Sequence, residues 1–151
     1  ANYSEGDALK GGVVAVKTVN NGDVFAVQTK ENIWAFCKVI LVSEYFKEGI
    51  YISLYPETSE KPSMPSSLSG DYVEGWWTFI PCIKDWVLVG NIPISASELA
   101  MTNCRIDDEL LIEDKISPLL DEDDDDKYPY FMGYNSIALF ESICEALGQQ
   151  V

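Results

Sequence analysis

The chain has 151 residues, 47% hydrophobic and 12% aromatic, with 10 basic against 25 acidic residues and a formal charge of -15. That apolar content excludes global disorder, and a single domain spanning 1–151 is long enough to bury about two thirds of its unfolded surface. Phosphate contacts need a surplus of Lys and Arg, so general nucleic-acid binding is excluded and a partner is expected to be basic.

In chain order, Val13-Val14-Ala15-Val16 reads as a first short strand, followed by the turn cluster Asn20-Asn21-Gly22-Asp23. Val24-Phe25-Ala26-Val27 and the run from Ile33 to Val42, separated by Thr29-Lys30-Glu31-Asn32, form a predicted hairpin. Aromatic and β-branched residues favour a strand over a helix there. Ile50 to Tyr55 is a third strand, expected to end at Pro56, which has no N–H to give a sheet. Prolines 56, 62 and 65 with five serines predict a long exposed loop over about 56–70. Strands resume at Trp76 to Ile80 and at Trp86 to Val89, and a short helix starts near Ser95 or Ser97 and runs through Met101.

The C-terminal segment is the clearest helix. Ile137, Phe140, Ile143, Cys144 and Leu147 recur at spacings of three, four and seven, which predicts one apolar stripe packed on a sheet. Asn135 or Ser136 is placed to cap its start, and Gly148 to end it. The predicted class is α+β: a bent antiparallel sheet or partial β-barrel with a C-terminal helix.

The strongest anomaly is acidic. Between Asp107 and Asp126 lie eleven carboxylates against Lys115 alone, which accounts for ten of the fifteen net negative charges. Within this acidic segment, 107–126, a bland reading makes Asp121 to Asp126 a solvated loop. The functional reading assigns Asp121, Glu122, Asp123, Asp124, Asp125 and Asp126 to steering a basic partner, with Tyr128 and Tyr130 as anchors. Tyr128-Pro129-Tyr130-Phe131 reads equally as a buried edge strand. An EF-hand register from Asp121 fails, because Asp126 stands where glycine is needed and Met132 where glutamate is needed. Asp123 to Lys127 matches a protease-recognition string used in engineered fusions, and its place between native-looking segments marks it as coincidence.

The chain has no histidine, which removes Ser-His-Asp and Cys-His catalysis and histidine metal centres. Cys37, Cys82, Cys104 and Cys144 form no C-x-x-C pair; free buried thiols are the first reading and two disulfides the alternative. No metal, no cofactor and no catalytic residue is assigned. Paired carboxylates carry no signal among so many, and Trp34, Trp76, Trp77 and Trp86 read as core before they read as a sugar platform. No run is long enough to span a membrane and no signal peptide is present, although a start at Ala1 leaves a removed export signal open.

Three stretches together resemble a known family. Asn21-Gly22-Asp23-Val24-Phe25-Ala26-Val27, Trp34-Ala35-Phe36-Cys37-Lys38-Val39-Ile40 and Trp86-Val87-Leu88-Val89-Gly90-Asn91-Ile92-Pro93 look like the G-D-V-F-A-I, Y-A-F-G-Q-V and W-x-x-I-G-N-x-P blocks of the immunity protein 26 family. That family belongs to bacterial polymorphic toxin and contact-dependent inhibition systems. The resemblance covers roughly residues 21–93 and departs from the pattern at Cys37, in an extra strand-like run from Gly12 to Val19 and after Asp107. It implies a cytoplasmic antitoxin that binds a cognate toxin domain, such as a basic nuclease, and catalyses nothing. A carbohydrate-binding or carbohydrate-active β module is the alternative.

Overall fold

A computed structural model describes residues 18–118 and 127–149; the strand expected at Val13–Val16 lies outside them. The first hairpin pairs β1 (Asp23–Lys30) with β2 (Ile33–Val42), and Lys30 opposite Ile33 leaves Glu31 and Asn32 as its two-residue loop. Asn32 takes φ 62, the left-handed conformation that Asn tolerates best among residues with a Cβ. β3 (Gly49–Ser59) adds to β2, and β4 (Glu74–Phe79) adds to β3. The chain then passes under the sheet through a 3-10 turn, Ile80–Ile83, and places β5 (Val87–Asn91) on the far side of β1. The result is an open five-stranded antiparallel sheet, β4-β3-β2-β1-β5, that does not close into a barrel.

Two predicted boundaries are corrected. β3 continues through Pro56 to Ser59 because Pro56 sits in a bulge, between the Leu54–Cys37 and Thr58–Ala35 pairs, where no ladder N–H is required. The long loop is accordingly 60–73.

Both faces of this sheet are covered, which is why β1 and β2 read as near-continuous apolar runs rather than alternating ones. One face carries Phe25, Val27, Cys37, Val39, Ile50 and Ile52 under a C-terminal helix, α2 (Ser136–Ala146). On the other face Val24, Ala26, Phe36 and Tyr55 lie beneath Leu68 and Tyr72 of the 60–73 loop. The ends of the sheet are tied by the turn residues: Ile92 N–H donates to the Gly22 carbonyl at 2.9 Å, and Asn91 Nδ2 donates to Asp23 Oδ1 at 3.0 Å. Gly22 has φ 91, and a Cβ there would lie 2.6 Å from the Ile92 oxygen, so this contact needs glycine.

α2 is capped by Asn135, whose Oδ1 accepts from Ala138 N–H at 2.8 Å. It ends in a Schellman closure at Gly148 (φ 73), with Gln149 N–H on the Cys144 carbonyl at 2.8 Å. Its buried face is Leu139, Ile143 and Cys144, with Phe140 and Leu147 partly buried beside them. Ile137, expected in the stripe, is instead 71% exposed. Leu139 and Ile143, four apart, are the pair that meets the sheet.

The acidic segment divides. Its first part builds a second antiparallel sheet from β6 (Cys104–Ile106), β7 (Glu109–Ile112) and β8 (Lys115–Pro118). Asp107-Asp108 and Glu113-Asp114 are its two-residue turns, with φ 51 at Asp107, 48 at Glu113 and 67 at Asp114. Leu111 and Cys104 pack with Leu41 and Trp77 of the large sheet. Asp114 accepts from Ser43 Oγ and from Glu44 N–H, both at 2.6 Å, so part of the charge fastens one sheet to the other. The run Asp121 to Asp126, read as a solvated loop or a steering surface, lies outside the described residues. The short helix α1 (Ala96–Ala100) precedes β6 and starts at Ser95 with a reciprocal capping box to Glu98.

The cysteines are free: Cys37, Cys104 and Cys144 are buried and Cys82 is half-buried.

Candidate functional site

The predicted anchors lie on a seam between the sheets. Arg105 N–H donates to the Pro129 carbonyl at 2.7 Å, and Phe131 N–H returns to the Arg105 carbonyl at 2.9 Å. Three residues later Tyr134 N–H donates to the Trp77 carbonyl at 2.8 Å, and Thr78 Oγ1 donates to the Tyr134 carbonyl at 2.7 Å. Residues 129–134 thus run from the edge of β6 to the edge of β4 as an extended strap. Extended backbone alternates its side chains. Phe131 turns inward to stack on Phe46 at 4.1 Å, while Tyr130 and Met132 turn outward, 63% and 64% exposed.

Beside the strap opens a groove. Its first cavity, about 270 Å³, has Trp76 and Trp77 in its lining, and Met101, Tyr130 and Met132 stand around it with Glu74. The phenol end of Tyr51 lies against Gly75, where a Cβ would collide with the phenol oxygen. A second cavity, about 400 Å³, shares Glu74, Trp76 and Tyr134 and continues to Glu145 on α2. Among the described residues no lysine or arginine lines either cavity. The Tyr51 phenol is pushed up by burial and, after that, by the Glu74 charge. At the aromatic rim the Arg105 guanidinium carbon lies 4.9 Å from the centre of the Tyr130 ring.

Of the residues singled out from sequence, Asp121, Glu122, Asp123, Asp124, Asp125 and Asp126 lie outside the described residues. Tyr128 is half-buried, with Lys127 Nζ 5.7 Å from its ring centre, and Tyr130 is the aromatic presented to solvent. Met101, Met132 and Glu74 were not singled out. They come from α1's end, the strap and β4, and only the seam brings them together. The four tryptophans form no exposed platform: Trp76 and Trp77 are buried, and Trp34 and Trp86 are half-buried.

A second polar constellation is internal. Lys38, in the middle of β2, donates to Glu98 Oε2 at 2.9 Å and to the Pro93 carbonyl at 3.0 Å. Tyr72 Oη donates to the same Glu98 oxygen, and Ser95 N–H donates to Oε1 at 2.9 Å. Burial alone raises the Glu98 carboxyl, but the hydrogen bonds from Tyr72, Lys38 and Ser95 outweigh it and bring it down to about 2. The Tyr72 phenol is held above its usual range by burial and by that hydrogen bond. Neither group changes protonation near neutrality, so the constellation fixes structure rather than exchanging protons.

Among the described residues no group of three or more Cys, Asp or Glu is placed to hold a metal ion. No helix among them is long and apolar enough to cross a membrane. No family model, no curated protein and no solved structure matches the chain.

Proposed function

We propose that this chain is an antitoxin of the immunity-protein type, acting in the cytoplasm by binding a basic toxin domain and carrying out no turnover of its own. The observation that carries the reading is the outward pair Tyr130 and Met132, held by strap hydrogen bonds beside a groove with no basic lining among the described residues, on a chain of net charge -15. Tyrosine and methionine are enriched where proteins bind proteins, and tyrosine is among the residues that most often carry the binding energy. The resemblance of residues 21–93 to the immunity protein 26 blocks supports the same class. Its stretches lie on β1, β2 and β5 and their turns, away from the strap, so they account for the scaffold and not for partner choice. The carboxylates Asp121 to Asp126, next to the strap in sequence, supply the long-range attraction in this reading.

The test is co-purification with the toxin domain encoded beside this chain's gene, followed by a toxicity rescue in cells. The expected result is a stable complex and growth restored by the wild-type chain. A monodisperse pair of proteins that never associate, with no rescue, would reject the reading.

A further inference from the structure

We infer that the groove between β4 and the strap is a receptor for an arginine side chain on the partner, an inference that rests on the protein-binding reading above and specifies its chemistry. Three observations converge. Glu74 is shared by both cavities and has no salt-bridge partner among the described residues, so its charge is available to an incoming cation. Around it stand the aromatic residues Trp76, Tyr134 and Tyr130, and no lysine or arginine among the described residues lines the space. The Arg105 guanidinium over Tyr130, at 4.9 Å, shows on the same rim the stacking geometry that a planar cation adopts.

Arginine suits this lining better than lysine does. Its guanidinium is planar and weakly hydrated, so it can stack on a ring while its N–H fork meets a carboxylate, whereas an ammonium stays a hydrated point charge. The open edge of β4 adds a main-chain component. Trp77 gives its carbonyl to the strap, so by the alternation of an antiparallel ladder Gly75, two residues earlier, also turns its backbone groups away from β3 and toward the groove. A partner segment that carries the arginine therefore meets a carboxylate, aromatic faces and backbone groups on one edge.

The experiment uses the full chain, labelled for NMR, and the capped tripeptide acetyl-Gly-Arg-Gly-amide, with its citrulline counterpart as the uncharged isostere. The arginine peptide is expected to give saturable shifts at the Gly75 and Tyr134 amides and the Trp76 indole. Citrulline should give less than a fifth of the response. Glu74→Gln should weaken arginine binding at least fivefold with its other resonances unmoved, and Glu141→Gln on the exposed side of α2 should not. Equal responses to arginine and citrulline, or no effect of Glu74→Gln, would overturn the inference. If the peptide binds as expected and no toxin domain does, the groove chemistry stands and the antitoxin reading falls. If a toxin domain binds and its affinity is insensitive to Glu74→Gln, the inference falls alone.

Discussion

Lys38 and Glu98, sixty residues apart in sequence, form a buried ion pair with Nζ 2.9 Å from Oε2. Lys38 is 2% exposed and sits in a strand whose other residues are almost all apolar. It fixes α1 against the second face of the large sheet. Deleting one partner of such a pair leaves a buried charge without compensation, and the cost is about 3–5 kcal/mol. Glu98→Ala is therefore expected to destabilise strongly, because it strands the Lys38 ammonium and removes the Ser95 capping box as well. Lys38→Met should cost less, since Glu98 keeps Tyr72 and Ser95 as donors. Urea unfolding of both variants checks the order, and a larger loss for Lys38→Met would contradict it.

Glu98 also gives stability a pH dependence of definite sign. Its carboxyl stands at about 2 in the folded chain against 4.5 as the ordinary value. A depressed carboxyl stabilises the fold above its unfolded pKa, and that contribution disappears as pH falls through the folded value. The urea midpoint of wild type relative to Glu98→Gln should thus be level above about pH 5 and shrink from there toward pH 2. A gap that widens on acidification would reverse the assignment.

The thiols should divide by burial. Burial pushes Cys104 up to about 11 and also raises Cys37 and Cys144, so these three are poor thiolates as well as shielded ones. In the native protein an aromatic disulfide reagent is expected to titrate Cys82 first and the others slowly, with all four reacting in urea. Rapid native reaction of Cys37 or Cys144 would mean that the sheet and α2 do not cover them.

The phase of α2 separates the observed helix from the one the spacing alone suggests. Leu139 is buried against the sheet and Ile137 points to solvent. Leu139→Ala is expected to cost about 2–5 kcal/mol, and Ile137→Ala to stay within about 0.5 kcal/mol. Comparable losses at both positions would restore the broader stripe.

How much of this was legible depended on how far apart the cooperating residues lie. β1, β2 and the C-terminal helix each declare themselves within ten or eleven residues, through apolar runs, a turn cluster, Asn135 and Gly148. Sheet β6-β7-β8 did not, because Leu110-Leu111 between acidic turns is too short to show a period, and its carboxylates drew attention as charge rather than as turn residues. Pro56 misled because bulges leave no local mark. Tyr130 was legible as an aromatic beside charge. Glu74, Met101 and Met132 were not, since the parallel bridges Trp77–Gly133 and Arg105–Tyr130 that gather them are tertiary. Lys38 carried a readable hint, a cation within an apolar strand that requires a partner, but nothing local identifies Glu98 as that partner.

In the proposed antitoxin the partner site divides into a part that acts before contact and a part that acts after it. Asp121 to Asp126 form a charge block next to the strap in sequence, and a field of that kind acts over distances comparable to the Debye length, about 8–10 Å in physiological salt. Replacing these six by Asn and Gln is expected to lower the association rate with the toxin domain and flatten its salt dependence, with dissociation nearly unchanged. In the same reading Tyr130 acts at contact. Its side chain is exposed, so Tyr130→Ala should fold normally and raise the dissociation rate by the equivalent of about 1–4 kcal/mol. Tyr128→Ala should have the smaller effect on binding, because less of that residue is offered to a partner. Stopped-flow association and surface dissociation kinetics at several salt concentrations measure both parts. An association rate untouched by the six replacements would assign those carboxylates to solubility, and the electrostatic attraction would then have to come from Glu74, Glu145 and the acidic hairpin turns.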